Sequence, residues 1–332
     1  MLKTWHFLQR ENLDRLLLII VVLITVSSIS LFCLEPSLSL ADAFWMSIVT
    51  LATVGYGDIT PVTFGGRLIA VLDMIFGVGI LAAFTAEIAS ILVDRKIKET
   101  MGMRSYSFED HIILCEWNYR SQVIVKELRL EAETKEIPIV LIAELDRKPI
   151  EAENLFFIQG QVCDETLNRA NLHKAKTVII LGDDKLDCTA RDAKVVLSTL
   201  IVESINPRAY TIVELVDRSH VQTCKRAKAD EIIVSSELSS MLVAQATLNH
   251  GITKVVSDIL SNENGNQLYK IPVPKSQVGS QFIDIFIYMK QTYQSTVIGV
   301  QKGNEGEVIS NPPINYQIEN TDYLIIIASA KP

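Results

Sequence analysis

Six consecutive residues, Thr53-Val54-Gly55-Tyr56-Gly57-Asp58, carry the sharpest chemical signal in the chain. Glycines at alternate positions reach left-handed dihedrals without a Cβ clash. A strand built on such dihedrals turns successive carbonyl oxygens toward one axis. Four copies around that axis would stack rings of oxygens from Thr53, Val54, Gly55 and Tyr56, with the Thr53 hydroxyl closing the innermost ring. Such rings replace the hydration shell of a dehydrated potassium ion. The competing reading is a Gly-rich turn in a soluble domain, but a long apolar run lies on either side. Non-helical backbone at membrane depth is tolerated only where it lines a water-filled path or is buried in protein.

A second group of polar residues falls at the ends of short apolar runs further along. The first of these runs is followed by Cys115-Glu116-Trp117-Asn118-Tyr119-Arg120-Ser121. A dinucleotide site would place G-x-G-x-x-G there, and this turn has no glycine. Glu116 would repel a pyrophosphate. Arg120, by contrast, stands where a helix begins and is suited to pair with phosphate, helped by the helix N-terminus. Glu144 ends the next run at about the right separation to hydrogen-bond a ribose. Asn118, Asp164, Asp183 and Asp184 complete the expected cofactor-binding set. The residues leave two readings open: a nucleotide site, or a decayed one kept for folding.

The elements that position these groups follow from hydropathy. The run Leu16 to Leu34 has no charge. At helical rise it spans about 28 Å, close to a bilayer core of ~30 Å. A cleavable signal peptide is disfavoured, since no small-residue cleavage site stands out. Glu35-Pro36 ends this helix, with Glu35 expected at the water interface. An amphipathic segment, Asp42 to Thr50, precedes the six residues, and a second span runs from about Leu68 to Leu92. Lys3, Arg10 and Arg15 flank the start of the first span. Arg95, Lys96 and Lys98 follow the second. The positive-inside rule places both termini in the cytoplasm of a plasma-membrane protein. Arg67, at the outer end of the second span, has Asp58 and Asp42 as candidate partners.

Inside the second span Gly77 reads as a hinge or as a packing contact, with the hinge preferred, and Gly79 as packing. Two carboxylates lie in the same span, and intramembrane acids usually face water or a partner. A ring of Glu87 would concentrate cations at the cytoplasmic mouth; the alternative is an interfacial acid reaching cytosolic water. Asp73 is expected to bond the pore helix, for example at Thr50.

From His111 onward short apolar runs alternate with amphipathic stretches. Candidate strands are 111–115, 138–143, 156–158, 177–181, 209–213 and 231–234, separated by helices such as 121–133 and 187–204. Strands alternating with helices mean a parallel, doubly wound sheet, with ligands beyond the carboxyl ends of its strands. Residues 236–260 read as helical, and short strands from Gln267 to Ala328 imply a small α+β lobe. The fold class is therefore an all-α membrane pore, with two spans and a re-entrant pore helix, joined to an α/β Rossmann-like domain and a small α+β C-terminal lobe. The boundaries are 1–93 for the pore, 94–107 for a linker, 108–248 for the Rossmann-like lobe and 249–332 for the last lobe.

Composition agrees. Of 332 residues 48% are hydrophobic, high for a soluble protein, yet 21% are charged. A net charge of −8 argues against a nucleic-acid partner. The five cysteines are widely spaced and form no C-x-x-C or Cys/His cluster, so neither zinc nor a disulfide framework is implied.

The stretch TVGYGD resembles the selectivity filter of potassium channels over its full length, and Trp45 to Ala52 resembles the pore helix before it. The run HIILCEWNYRSQVIVKELR resembles the start of the RCK domain, also called TrkA-N. That resemblance continues through Gly160 to Asp164, Val178 to Asp184 and Ala229 to Ile233, into a TrkA-C-like part. Together they cover nearly the whole chain and imply a two-transmembrane prokaryotic potassium channel with a C-terminal RCK domain. What the resemblance implies is passive K+ conduction by a homotetramer in membrane lipid, gated by a cytosolic ring that binds NAD, ADP, ATP or calcium. Gly77 matches the gating hinge of related channels. Some relatives draw extra soluble RCK copies from an internal start, for which Met101 and Met103 stand ready. The family usually has glycine where Glu116 stands. At the calcium site of calcium-gated relatives this chain has Lys185 and keeps only Glu214, so Asp183, Asp184 and Glu214 are the remaining candidates for Ca2+. A membrane-anchored NAD-dependent oxidoreductase is the alternative, but His6, His111, His173, His220 and His250 form no evident catalytic constellation. A regulatory subunit of a transporter is disfavoured, since such subunits lack a filter.

Overall fold

A computed structural model of the chain describes residues 13–263, 265–304 and 306–332. Lys3, His6 and Arg10 lie outside the described residues. The chain divides into two compact units, Met1–Thr100 and Met101–Pro332, so the division falls inside the expected linker.

Among its described residues the first unit has three helices: α1 (Leu13–Leu34), α2 (Leu40–Leu51) and α3 (Phe64–Thr100). Both α1 and α3 are long and apolar enough to cross a membrane. The 37 residues of α3 reach about 55 Å at helical rise, well beyond the second span read from hydropathy. Ser39 caps α2, its hydroxyl accepting from the Asp42 amide at 3.2 Å. Glu35 is buried rather than at a water interface. It accepts from the amide and the hydroxyl of Thr63, both at 2.8 Å, and so caps the start of α3. Unpaired amides at a helix start need such an acceptor.

A buried polar contact joins all three helices. Ser27 of α1 donates to the Asp73 carboxylate of α3 and lies 2.9 Å from the Ser47 hydroxyl of α2. Asp73 thus reaches the pore helix through Ser27 and Ser47, not at Thr50. Gly77 is buried, and a Cβ on it would stand 2.9 Å from the Cα of Leu51. The same construction at Gly79 meets nothing within 4 Å. Within the chain, the packing expected at Gly79 therefore falls on Gly77.

The second unit opens with β1 (His111–Cys115), α4 (Tyr119–Leu130), β2 (Ile139–Ala143), β3 (Leu155–Gln159) and α5 (Asp164–Arg169). It continues with β4 (Ala175–Ile180), α6 (Cys188–Ile205), β5 (Tyr210–Leu215), α7 (Val221–Arg226) and β6 (Glu231–Val234). The six strands are parallel in the order β3-β2-β1-β4-β5-β6. β1 and β2 are buried at every residue, as strands covered by helices on both faces must be. Arg129 of α4 staples the surrounding turns: its guanidinium donates to the carbonyls of Thr134, Lys135, Ile137, Glu153 and Asn154 at 3.0–3.1 Å.

The helix expected over 236–260 is two helices, α8 (Ser235–Leu248) and α9 (Ile252–Leu260), broken at Gly251 with φ +93°. Beyond them β7 (Gln267–Pro272), α10 (Phe282–Tyr293), β8 (Thr296–Gln301), β9 (Val308–Ser310) and β10 (Tyr323–Ala328) form the last lobe. Its antiparallel sheet runs β7-β10-β8-β9. Phe282, Ile285 and Met289 of α10 pack on Val300, Leu324 and Ile326 of the sheet.

Candidate functional sites: the filter loop and the switch-point cleft

The loop between α2 and α3 holds the six-residue stretch. Thr53, Gly55 and Gly57 have φ of +59°, +59° and +73°, while Val54 and Tyr56 are not in that region. Alternating handedness directs successive carbonyls to the same side, and two of the three left-handed positions are glycines. The loop is tied back to α2. The Val54 and Gly55 amides donate to Val49 O at 3.0 and 3.2 Å, and Trp45 Nε1 donates to Asp58 at 2.8 Å. The Trp45 and Tyr56 rings stack at 6.1 Å with an 8° interplanar angle. With Asp58 on Trp45 and Asp42 on Ser39, neither acid is given to Arg67; its Nε donates instead to Pro61 O at 3.3 Å.

Below the loop a concavity is lined by Thr53 and by Val78, Ala82, Thr85, Ala86 and Ala89 of α3. These α3 positions share one helix face. Glu87 is not on it: two residues past Thr85 is about 200° further round the helix. The expected Glu87 ring at a cytoplasmic mouth therefore does not form part of this lining.

The second site sits where β1 lies between β2 and β4. Chain direction on the sheet reverses there, which opens a crevice at the strand ends. Asn118 caps α4, accepting from the Ser121 amide at 3.1 Å, and its amide group donates to Gly182 O at 3.0 Å. The crevice is filled by the chain's own charges. Arg120 pairs with Asp184 at 2.7 Å and with Glu214 at 2.8 Å. Arg191 pairs with the same two carboxylates at 3.0 and 3.5 Å. Lys194 meets Glu116 at 2.5 Å, Asp183 at 3.1 Å and Glu144 at 3.6 Å. Burial pushes the Glu116 carboxyl up, against the pull of Lys194. At Asp183 burial also pushes upward, but the Lys185 amide and Lys194 outweigh it and hold the carboxyl below its usual range. For Lys194 burial works downward, and Glu116 and Asp183 overcome it, raising the ammonium.

Arg191 and Lys194 are the residues that sequence reasoning missed. Both lie on α6, three apart and hence on one face, and attention to strand ends alone passes over them. Of the expected cofactor set, the fold brings together Asn118, Arg120, Glu144, Asp183 and Asp184. Asp164 opens α5 beyond β3, two strands out from β1, and is exposed.

The residues present fit neither a pyrophosphate nor a metal as they stand. Glu116 adopts φ +75° at a position where glycine would leave room. A Cβ on Gly182 would stand 2.1 Å from Arg191 Nε, so that side chain lies across the backbone a phosphate would approach. The calcium candidates are also engaged: Asp183 faces Lys194, whereas Asp184 and Glu214 share two guanidiniums. Among the described residues no group of three His, Cys, Asp or Glu side chains would hold a metal ion. His111 is buried against Ala170 O at 2.8 Å, and His220 lies 3.0 Å from the buried Asp192, which also holds the amides of Val216 and Asp217.

Comparison with known proteins gives each region a counterpart. The family described as ion channel matches residues 17–94. The calcium-activated potassium channel slowpoke-like RCK domain matches 107–213. Castor and Pollux, part of voltage-gated ion channel, matches 236–332. Putative potassium channel protein YugO of Bacillus subtilis is 33% identical across 94% of this chain and 95% of its own length. Calcium-gated potassium channel TvoK of Thermoplasma volcanium is 26% identical across 100% of this chain and 96% of its own. The solved GsuK channel, 17% identical, shares the fold at a TM-score of 0.50 over 96% of this chain, which spans 58% of that one. With a full-length relative at this identity, matched through both units, the chain belongs to the prokaryotic two-span potassium channels that carry a C-terminal RCK domain.

Proposed function

We propose that four copies of this chain surround a potassium-selective pore whose filter is Thr53 to Asp58, and that the RCK domain biases the pore between closed and open. The observation that carries the filter reading is the alternation of left-handed φ at Thr53, Gly55 and Gly57. The rings would take K+ through the carbonyls of Thr53, Val54, Gly55 and Tyr56. Conduction is passive and calls for no covalent chemistry. Both termini are cytoplasmic in this reading, with Arg95, Lys96 and Lys98 on the inner side, and lipid surrounds α1 and α3. Gly77 serves as hinge as well as packing contact. Met101 begins the second unit, which supports an internal start yielding soluble RCK copies. A denaturing gel with a single band and no fragment of that size would count against those copies.

A ligand moves the gate only through unequal affinity for its two states. NAD, ADP or ATP suit the sheet topology, but a phosphate must first part Arg191 from Asp184 and Glu214. The crevice's three cations and five carboxylates leave a formal excess of two negative charges. That excess and the calcium gating in TvoK's name favour a divalent cation as the second reading, with Lys194 or Arg191 displaced. The test is a bilayer recording of the purified chain, with NAD, ADP, ATP and calcium added separately to the cytosolic side. Sodium passing as readily as potassium would overturn the filter reading. Indifference to all four additions would overturn the ligand reading.

A further inference from the structure

We propose that Arg169 is the coupling residue of the gate, clamping the segment that follows α3 onto the RCK sheet. Its guanidinium donates to Gly102 O and, at 3.2 Å, to Arg104 O, while its own carbonyl accepts from the Tyr106 amide at 2.8 Å. The Gln159 amide donates to Gly102 O at 3.1 Å. Gly102 itself has φ +66°, and a Cβ there would stand 2.3 Å from the Gln159 nitrogen and 2.8 Å from the Phe157 ring. Only glycine fits so closely against β3 in that conformation. Further on, Tyr106 and Phe108 stack at 5.6 Å and both meet Phe156, and Asn171 donates to Phe108 O at 2.7 Å. Gly102, Arg104, Tyr106 and Phe108 are thus each tied to β3, α5 or the turn after it.

The turn ahead of α5 reaches the edge of the crevice through Gln161. Glu144, 3.6 Å from Lys194, accepts from Gln161 at 2.9 Å. Thr166 in turn donates to Gln161 O at 2.6 Å, and Leu167 and Ala170 are fully buried. The turn and α5 therefore move together. A ligand that draws Lys194 or Glu144 elsewhere shifts Gln161, then α5, then Arg169 and the segment it grips. A contiguous chain of contacts earns the name of coupling only when both ends bias one two-state element, and that is measurable as non-additivity.

This inference rests on the reading that the RCK domain gates the pore, and one experiment separates the two. Single-channel recordings compare four full-length forms: wild type, Arg169→Ala, a Gly-Ser-Gly insertion between Thr100 and Met101, and both changes together. The insertion introduces slack and should shift open probability about tenfold. Arg169→Ala should shift it in the same direction, by the loss of its two charge-assisted hydrogen bonds, at least about tenfold. The double form should go no further than the insertion alone. Unitary conductance and the K+/Na+ permeability ratio should stay at wild-type values in every form. Should Arg169→Ala yield no channels, Arg169→Lys carries the test, with an intermediate shift expected. Wild-type open probability in either Arg169 variant beside a shifted insertion form, or additive effects, would overturn the clamp alone. An insertion with no effect would overturn the gating reading and the clamp with it.

Discussion

The filter loop and the RCK crevice solve opposite problems. Every residue from Thr53 to Asp58 is exposed in a single chain, whereas β1 and β2 are buried throughout. Most of the crevice's charges are answered from within by Arg120, Arg191 and Lys194. In the proposed tetramer the carbonyl oxygens of the loop are answered by ions and by other copies. One region is thus largely paired within its own chain, and the other is, on the proposed reading, completed by assembly. Substitutions in the first should act on folding, and in the second on conduction.

The largest effect that sharpens this contrast is expected from Gly55→Ala. Holding alanine at φ +59° costs roughly 1–2 kcal/mol per copy, and the strain repeats in each subunit. Potassium flux into vesicles should fall at least ~100-fold, since strain in four copies multiplies, with thermal unfolding of the RCK unit unchanged. Wild-type flux would break the comparison. Next comes Asp73→Leu, which removes the acceptor used by Ser27 and leaves a buried hydroxyl short of a partner, costing about 1–3 kcal/mol. Asp73→Asn keeps an acceptor and should cost less. Thermal dissociation of the assembled channel in detergent reads both, and equal behaviour of the two would show that the network does not hold the helices.

Gly77→Ala comes third. Its new methyl meets Leu51 backbone, at about 1–3 kcal/mol of strain, whereas Gly79→Ala has room and should lie within ~0.5 kcal/mol of wild type. If Gly77 is also a hinge, its variant lowers open probability with selectivity intact. Lowered assembly stability with unchanged gating would leave it a packing contact only.

The smallest effect is one of pH on the RCK unit. Burial lowers the pKa of His111 from its usual 6.5, so below that pH the unfolded chain takes up a proton that the folded one refuses. Stability from this residue is full above pH 6.5 and declines as pH falls through the window beneath it. Denaturant titrations from pH 7.5 to 5 should show the decline, and His111→Gln should flatten it. An identical slope in the variant would remove His111 from the account.

The sequence was most legible where a local pattern carries the physics. β1 and β2 announce themselves as unbroken apolar runs, and the left-handed loop over 53–58 as a glycine-alternating motif between two long apolar helices. The α4 cap at Asn118 and the strand ends that line the crevice were also in reach, since each follows a strand directly. Partners contributed from a distance were not. Asp73 was visible as an anomaly, yet Ser27 and Ser47 become its neighbours only when three helices cross. Glu35 reads as an interfacial acid until Thr63 is folded back onto it. Arg191 and Lys194 look like ordinary charged positions of an amphipathic helix, and only the sheet's topology turns them into the crevice. Gly251 marks where the stretch 236–260 breaks, a signal that apolar spacing alone overrode.

Arg129 has a consequence for the cell this protein serves. Its five bonds go to neutral carbonyls, not to carboxylates, so dissolved ions have little opposite charge to compete for. The paired charges of the crevice are partly open to solvent and weaken as ionic strength rises. When the salt concentration around it climbs, the scaffold around α4 should hold its shape while the crevice alone softens.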